Sequence, residues 1–349
     1  MTRLRMRLLM RRLPYALLSV VLLLAAEVVA RAVWSEDDTL LNPELNFFRD
    51  HPTLFWVQKP NLNTTIRGPV PLLTNSLGLR GPEITLPKPK DIYRILSLGG
   101  SATWGDFVHI EETYSSRLQN LLNEAPLEGA GNNQQYEVIN AGVGAYSIWQ
   151  SYVFLMETGM SLDPDMLMLY HQENDNMPSG VIEQHSFIRV VRYTDREAYE
   201  RRRHIAPLLA LLYKSRLYLG IRKLVLNRTS DLPVAQPGQL AGYTPRVPPA
   251  DRKIALEGMR KLCAEKRITL VIIQPFSHHQ PLGDTLLRDF SAKYKIPYVD
   301  LPSLLADQRS KLGVQALLFN DGTHPTPLGH KLIAEALATE IKKILQAAP

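Results

Sequence analysis

The chain has 349 residues, of which 45% are hydrophobic, so its composition supports one large or two ordinary folded domains and excludes global disorder. Its single cysteine, Cys263, excludes an internal disulfide framework. The formal net charge is +6, but residues 1–12 contain five arginines and no acid, and without these five charges the other 337 residues carry only +1. The sequence therefore predicts no nucleic-acid-binding surface.

An apolar segment, Leu13 to Trp34, follows these arginines. It is long enough to cross a bilayer as a helix if Glu27 lies near the outer interface, where Arg31 one helical turn later can pair with it. The positive-inside rule keeps the arginines in the cytoplasm, so residues 1–35 are predicted to be a single-pass signal anchor that leaves the rest of the chain exported. The alternative is a cleaved signal peptide, because Ala30-Arg31-Ala32 resembles a cleavage site.

Residues 36–90 contain eight prolines and are predicted to form an irregular, extended connector. Regular patterns begin after it. Apolar runs of strand length lie at Tyr93–Leu98, Tyr136–Asn140, Met166–Tyr170, Thr269–Gln274 and Tyr298–Leu301. Amphipathic stretches lie at Thr113–Leu122, Ile148–Thr158, Asp251–Ala264, Leu282–Lys295 and Pro327–Leu345. This alternation predicts one α/β domain, residues 91–349, with a five-stranded parallel sheet covered by helices on both faces.

The loop after the first predicted strand reads Gly99-Gly100-Ser101. It lacks the Gly-Lys-Ser/Thr ending of a phosphate-binding loop and the G-x-G-x-x-G pattern of a dinucleotide site. Ligand sites in parallel sheets lie beyond the carboxyl ends of the strands, and a helix N-terminus stabilises negative charge. Two interpretations of Ser101 remain, namely a nucleophile and an ordinary helix N-cap.

A histidine with an acid close by stands near the C-terminus, in Asp321-Gly322-Thr323-His324. Two prolines stiffen this loop, so the Asp321 carboxylate can accept from one imidazole nitrogen of His324 while the other nitrogen faces Ser101. Thr326 is a plausible N-cap of the final helix, and His330 within that helix is predicted to be an ordinary surface residue.

Candidate donors for an oxyanion follow the next two strands. The turn after the second strand can bring the backbone N–H of Gly144 or Ala145 close to Ser101, and Asn174 after the third strand can add a side-chain N–H. Glycine turns and a polar loop without catalytic role are the alternative for these segments.

The set Ser101, Gly142–Ala145, Asn174 and Asp321-x-x-His324 resembles the SGNH (GDSL-type) hydrolase family, and the stretches RILSLGGS and VINAGVGAYS resemble its membrane-anchored bacterial branch. The resemblance implies a flavodoxin-like three-layer sandwich and ester hydrolysis or acyl transfer through an acyl-serine, without metal or cofactor. It implies Ser101, Asp321 and His324 as catalytic residues, and Ser101, Ala145 or Gly144, and Asn174 as oxyanion donors. Gly100, Ala145 and Gln172 depart from the residues usual in the family.

These inferences predict an esterase at the bacterial inner membrane, with its catalytic domain in the periplasm, acting on an acylated, specifically O-acetylated, carbohydrate or lipid of the cell surface. O-acetyl transfer and a non-catalytic carbohydrate-binding relative are the alternatives. An α/β-hydrolase is less consistent, because position 103 is threonine instead of the closing glycine of a nucleophile elbow.

An insertion at about residues 185–250 combines basic residues with an apolar helical stretch. This composition is typical either of contact with a lipid surface or acidic glycan, or of a cap helix with solvated arginines. His278 and His279 follow the fourth strand and could line the cleft.

Overall fold

A computed structural model of the protein describes residues 3–35, 46–66, 70–124, 134–171, 173–177, 193–227, 244–277 and 285–347. The strands are β1 (Phe48–His51), β2 (Phe55–Gln58), β3 (Asn63–Ile66), β4 (Val70–Leu73), β5 (Ile92–Gly99), β6 (Gln135–Gly142), β7 (Met166–Tyr170), β8 (Thr269–Gln274) and β9 (Tyr298–Asp300). The helices are α1 (Arg3–Val33), α2 (Ser101–Trp104), α3 (Tyr114–Glu124), α4 (Ile148–Glu157), α5 (Glu173–Asn176), α6 (Asp195–Arg203), α7 (Ala206–Leu212), α8 (Arg216–Asn227), α9 (Pro249–Lys266), α10 (Leu286–Tyr294), α11 (Leu301–Leu304), α12 (Ala306–Leu312), α13 (Val314–Leu317) and α14 (Pro327–Ala347).

The last five strands form the predicted parallel sheet, in the order β6-β5-β7-β8-β9. Counted from β5, this is the order 2-1-3-4-5 of flavodoxin-like proteins. In this order, the second strand is added on one side of the first strand and the later strands on its other side. The loops after β5, β6 and β7 therefore leave the same edge of the sheet side by side. The predicted fold class is confirmed.

Successive strand residues enter two separate apolar cores. Leu96 and Leu98 of β5 pack on one side of the sheet with α4, α9 and α10, whereas Ile95 packs on the other side with α3 and α14. Because side chains alternate across a strand, a strand buried on both faces must be apolar at every position. This explains why continuous apolar runs located the strands so closely.

The connector differs from its prediction as an irregular segment. It contains two antiparallel hairpins, β1 with β2 and β3 with β4. Phe48, Trp56 and Leu72 from these hairpins are buried in the same core as Leu96 and Leu98. Strands of four residues, one with Pro71 at its second position, are too short to show the alternation on which a strand prediction depends.

The first helix, α1, covers the segment that was predicted to be an anchor. Its segment Arg12–Val33 is, among the described residues, the helix long and apolar enough to cross a membrane, and nearly all of it is exposed. The predicted pair between Arg31 and Glu27 is present, with 2.8 Å between Nε and Oε1.

Candidate active site

Ser101 lies at the carboxyl end of β5, as the first residue of α2. Gly100 occupies the N-cap position of this short helix, and no side chain caps it. The N-cap interpretation of Ser101 therefore does not apply. Its Oγ lies instead 2.7 Å from Nε2 of His324.

His324 is held by the loop that precedes α14. Asp321 accepts the backbone N–H groups of Thr323 (2.9 Å) and His324 (3.0 Å) with its Oδ1, and its Oδ2 lies 2.7 Å from Nδ1 of the imidazole. Thr326 caps α14 as predicted, accepting the N–H of Gly329 at 3.1 Å. The ring of Phe107 packs edge-on against the imidazole, with 5.5 Å between ring centroids. The imidazole is thus oriented by a carboxylate on one side and an aromatic ring on another.

The chemistry of the Asp321 carboxylate determines the direction of these hydrogen bonds. Partial burial alone would raise the pKa of Asp321, but the hydrogen bonds from His324 and Thr323 outweigh it and lower the pKa below its usual value. An ionised carboxylate only accepts, so Nδ1 of His324 carries the proton. Nε2 is then free to accept the hydroxyl proton of Ser101, which is the arrangement of a general base beside its nucleophile.

A second carboxylate lies close to the same imidazole. Oδ2 of Asp106 is 4.0 Å from Nε2 of His324, and the Asp106 side chain is only 3% exposed. Sequence reasoning overlooked this residue, because an acid five positions after a serine matches none of the motifs considered.

Asn174 lies in α5, shortly after the carboxyl end of β7, and lines the same cleft as Ser101. Its Nδ2 donates one hydrogen bond to the carbonyl of Tyr146, at 2.9 Å, which leaves the second N–H of the amide. A Cβ at Gly100 would lie 2.6 Å from this Nδ2. The glycine before Ser101, one of the departures from the family pattern, therefore lets the amide approach the serine.

The turn between β6 and α4 holds the two alternative backbone donors. Ala145 has φ of 61°, in the left-handed region that costs an alanine about 1–2 kcal/mol and that glycine adopts freely. This conformation is a physical reason for glycine to be usual at that position in the resembled family. The carbonyl of Gly144 accepts from Trp56 Nε1 at 3.1 Å, and that of Ala145 accepts from Arg246 Nη1 at 2.9 Å.

An open cleft of about 390 Å³, including solvent at its mouth, lies over the serine. Its lining residues are Gly100, Ser101, Ala102, Tyr170, His171, Asn174, Pro275, Phe276, Ser277 and Thr323. Neither Gly144 nor Ala145 is among them. His171 is a neutral part of this wall, since burial lowers its pKa to about 3, and its Nε2 lies 2.7 Å from the hydroxyl oxygen of Ser151.

Two buried arginines support the site, and sequence reasoning found the role of neither. Arg80, in a stretch without evident chemistry of its own, donates to the carbonyls of Trp104, Gly105 and Val108, which shape the loop after the serine. Burial lowers its pKa to about 10, although the Asp106 charge opposes this change. A guanidinium donates several hydrogen bonds in a fixed plane, which suits an arginine to holding a loop by its carbonyls.

Arg246 supports the turn that carries Gly144 and Ala145. Besides the carbonyl of Ala145, it contacts both carboxylate oxygens of Asp195, at 2.9 and 3.3 Å, and Gln150 Oε1 at 2.8 Å. Asp195 is fully buried and also accepts from the hydroxyl of Ser147 at 2.6 Å. No sequence pattern signals a pair 51 residues apart.

We predict that Arg246→Met lowers the free energy of unfolding by about 3–5 kcal/mol, because it leaves the Asp195 charge buried and without its cation. Urea unfolding followed by tryptophan fluorescence measures this loss. Arg203→Met is the matched control, because Arg203 pairs with Glu200 at the surface and its removal is expected to cost less than about 1 kcal/mol. Equal losses of unfolding free energy in both variants would contradict the proposal that Arg246 stabilises the turn by pairing with Asp195.

We also predict that Asn174→Ala lowers kcat for an ester substrate by about 100-fold or more, equivalent to about 3 kcal/mol, because the second N–H of the amide would donate to the charge that develops on the attacked carbonyl. Steady-state kinetics test this expectation, with KM changing much less than kcat. Asn176→Ala is the control, since Asn176 lies on the same short helix but accepts from Arg252, at 3.3 Å. Similar kcat values in the two variants would contradict the role of Asn174 as a donor to the oxyanion.

Three sequence expectations need a correction or lie outside the described residues. His330 is fully buried instead of exposed, accepts the backbone N–H of Tyr114 at 3.1 Å, and has its pKa lowered to about 3 by burial. The final helix packs this face against α3, which the helix sequence alone did not indicate. Gln172, and His278 with His279, lie outside the described residues. In the part of the chain that is described, no group of three or more metal-binding side chains comes together.

Comparisons with known proteins show a similarity of fold to solved structures. No family model matches the sequence, and no curated protein matches it significantly. Similar solved structures include a two-domain esterase active on acetylated mannans, at 15% identity and a TM-score of 0.44, covering 73% of this chain and 50% of that one. An acetylxylan esterase from Geobacillus stearothermophilus matches at 15% identity and a TM-score of 0.43, covering 71% of this chain and 94% of that one. The chain spans half the length of the first of these proteins, and similarities at this level carry no functional inference.

Proposed function

We propose that the protein is a membrane-tethered serine esterase of SGNH type, which cleaves or transfers an acyl group through an acyl-serine intermediate. The observation that carries this proposal is the unbroken line from Ser101 through His324 to Asp321, with two contacts of 2.7 Å, beside the amide of Asn174. A serine at the end of a buried strand has no structural need for such partners.

The first half of the reaction forms the acyl-serine. His324 Nε2 removes the hydroxyl proton of Ser101 as Oγ attacks the ester carbonyl, and Asp321 stabilises the imidazolium that results. The negative charge on the carbonyl oxygen is stabilised by the second N–H of Asn174, by the backbone N–H of Ser101, and by that of Ala145 or Gly144. His324 then returns its proton to the leaving alcohol, which breaks the ester bond.

The second half of the reaction releases the acyl group. Water, or the hydroxyl of a sugar, attacks the acyl-serine while His324 takes its proton, and the imidazolium then passes this proton to Ser101 Oγ as the bond between the acyl group and the serine breaks. Whether the outcome is hydrolysis or transfer depends on which of these nucleophiles enters the cleft. Both alternatives use the same residues of the chain.

The organisation of the chain supports an extracytoplasmic surface substrate. Residues 1–35 would form a cytoplasmic tail and a single anchor in the bacterial inner membrane, residues 36–90 a connector, and residues 91–349 the periplasmic catalytic domain. The arginines at the start of α1 and the exposed apolar segment Arg12–Val33 support this orientation. An O-acetylated carbohydrate or lipid is the proposed substrate, because a cleft of about 390 Å³, including the solvent at its mouth, suits a short acyl chain.

A chain-length series of p-nitrophenyl esters tests this proposal. The full chain in detergent is expected to hydrolyse the acetate ester and to lose activity with the octanoate ester. Acetylated polysaccharide, incubated with and without a free oligosaccharide acceptor, separates release of acetate from transfer. Absence of turnover with every ester, together with binding of the glycan, would instead support the alternative of a non-catalytic carbohydrate-binding protein.

A further inference from the structure

We propose that helices α7 and α8 of the basic insertion, which the turn 213–215 joins and which together are called the hairpin, lie in the outer interface of the same membrane that α1 crosses. This inference uses the proposed anchor but none of the proposed chemistry. The occupant of the exposed hairpin face would be the boundary between headgroups and acyl chains of a leaflet that contains anionic lipid.

The hairpin is fixed to the outer end of α1 through a carboxylate. Glu27 accepts the hydroxyl of Ser215, at 2.6 Å, and the backbone N–H groups of Arg216 and Leu217, both at 3.0 Å. These groups form the N-terminus of α8, where N–H donors have no partner within the helix. Arg31 of α1 adds a bond of 2.7 Å to the carbonyl of Lys214.

These contacts set the depth of the hairpin. Glu27 lies six residues before Val33, the end of the apolar segment, which corresponds to about 9 Å along a helix. A carboxylate at that depth requires polar partners, and the start of α8 supplies them. Further out, the ring of Trp34 packs so closely on Gly220 that a Cβ there would lie 2.2 Å from it. Helix α8 therefore begins beside the apolar segment and runs along α1 towards its outer end.

The hairpin exposes an apolar face. On α7 and the residue before it, the spacing of three places Ile205, Leu208 and Leu211 on one side, and their exposed fractions are 47%, 54% and 66%. On α8, Ile221, Leu224 and Val225 are exposed on the side opposite the buried Leu219. Three large apolar side chains are therefore exposed on or directly before each of two consecutive helices, which exceeds the single apolar residues of an ordinary surface.

The charges around this face complement anionic lipid. Residues 201–227 contain seven lysines and arginines and no acid. Arg203 pairs with Glu200 and Arg222 with Asp50, whereas Lys214 is exposed just after α7, where its side chain can reach headgroups while the leucines enter the acyl region. An apolar face, a basic border and attachment to a membrane helix at a fixed depth together identify lipid as the partner.

Site-specific labelling tests the inference in the full chain. Leu208→Cys and Leu224→Cys are labelled with an environment-sensitive dye and reconstituted into phosphatidylcholine vesicles with and without phosphatidylglycerol, using acyl chains that carry a quencher. Leu304→Cys and Leu312→Cys, exposed leucines of α11 and α12, are matched controls. The native Cys263 stays unlabelled, because burial raises the pKa of its thiol to about 12. All four positions are exposed, so the substitutions leave the apolar cores intact.

We expect quenching at positions 208 and 224 to exceed that at the controls several-fold, and to increase with phosphatidylglycerol. Quenching no stronger than at the controls overturns the inference and points to a protein partner or to solvent at this face. A Leu22→Cys label in α1 separates the two proposals, since quenching there without quenching at 208 and 224 rejects the hairpin alone, and no quenching at any of the three rejects the anchor as well. In the unmodified chain, a photoactivatable phosphatidylglycerol is expected to crosslink within 205–227.

Discussion

Ser101→Ala is expected to lower kcat for p-nitrophenyl acetate by about 10⁶-fold, to the level of the uncatalysed reaction plus what the remaining site contributes. The alanine has no oxygen to form the acyl-enzyme, and His324 then has no hydroxyl to activate. Stability is expected to change little, because the Ser101 side chain caps no helix and its hydroxyl contacts only the imidazole of His324, whose side chain is 17% exposed at the cleft, among the described residues. Steady-state kinetics of the purified full chain measure the loss.

Ser161→Ala is the matched control for this variant. Ser161 is an exposed serine whose hydroxyl donates to a nearby carbonyl, that of Thr158, at 2.6 Å. Its removal is expected to leave kcat and KM unchanged. Full activity in Ser101→Ala would show that the esterase chemistry takes place elsewhere.

Asp321→Asn is expected to lower kcat by about 10⁴-fold while the site keeps its shape. An amide can present its NH₂ group to Nδ1 of His324, which favours the tautomer with the proton on Nε2, where it cannot accept from Ser101. The amide also removes the negative charge that stabilises the imidazolium. Kinetics of this variant are compared with those of Asp300→Asn, where the carboxylate accepts from Ser303 at the start of α11.

The nearby carboxylate of Asp106 is the alternative partner of the imidazole, and its variant can contradict the role given to Asp321. If Asp321→Asn retained near-normal kcat while Asp106→Asn lost activity, the imidazole would be oriented from its Nε2 side and the assignment of Asp321 would be wrong. Stability gives a second readout. Because the pKa of Asp321 is lowered in the folded state, its stabilising contribution is present at neutral pH and is lost as the pH falls through that lowered pKa, so the parent and Asp321→Asn should converge in stability under acid.

The central sheet could be predicted from the sequence because burial on both faces leaves a strong local pattern. The predicted run Met166–Tyr170 coincides with β7, and Tyr93–Leu98 differs from β5 by one residue at each end. The approach of Ser101 and Asn174 followed from the same pattern, since loops at the carboxyl ends of parallel strands meet at one edge, whereas His324 was predicted from Asp321 three residues before it. Their assignment to catalysis stays a prediction.

The hydrogen bonds that hold the loops of the site in place could not be predicted, because each of them joins residues that are distant in the sequence. Arg80 lies in a turn-rich stretch of no evident chemistry, yet it is buried against carbonyls 24 to 28 positions away. Gln58 of the connector donates to the carbonyl of Gly142 and accepts from Trp104, which fastens β2 to both loops of the site. A polar residue in a short strand carries no local signal of such a partner. Predicting these contacts requires knowing how the connector packs on the sheet. The proline-rich sequence of the connector gave no indication of that packing.

Labelling with a fluorophosphonate, followed by peptide mapping, tests the central claim most directly, because the reagent forms a stable bond only with an activated serine. We predict one labelled residue, Ser101, and loss of labelling in Asp321→Asn and His324→Ala. Labelling of another serine, or no labelling of a folded protein, would contradict the proposal that Ser101 is the nucleophile of an esterase.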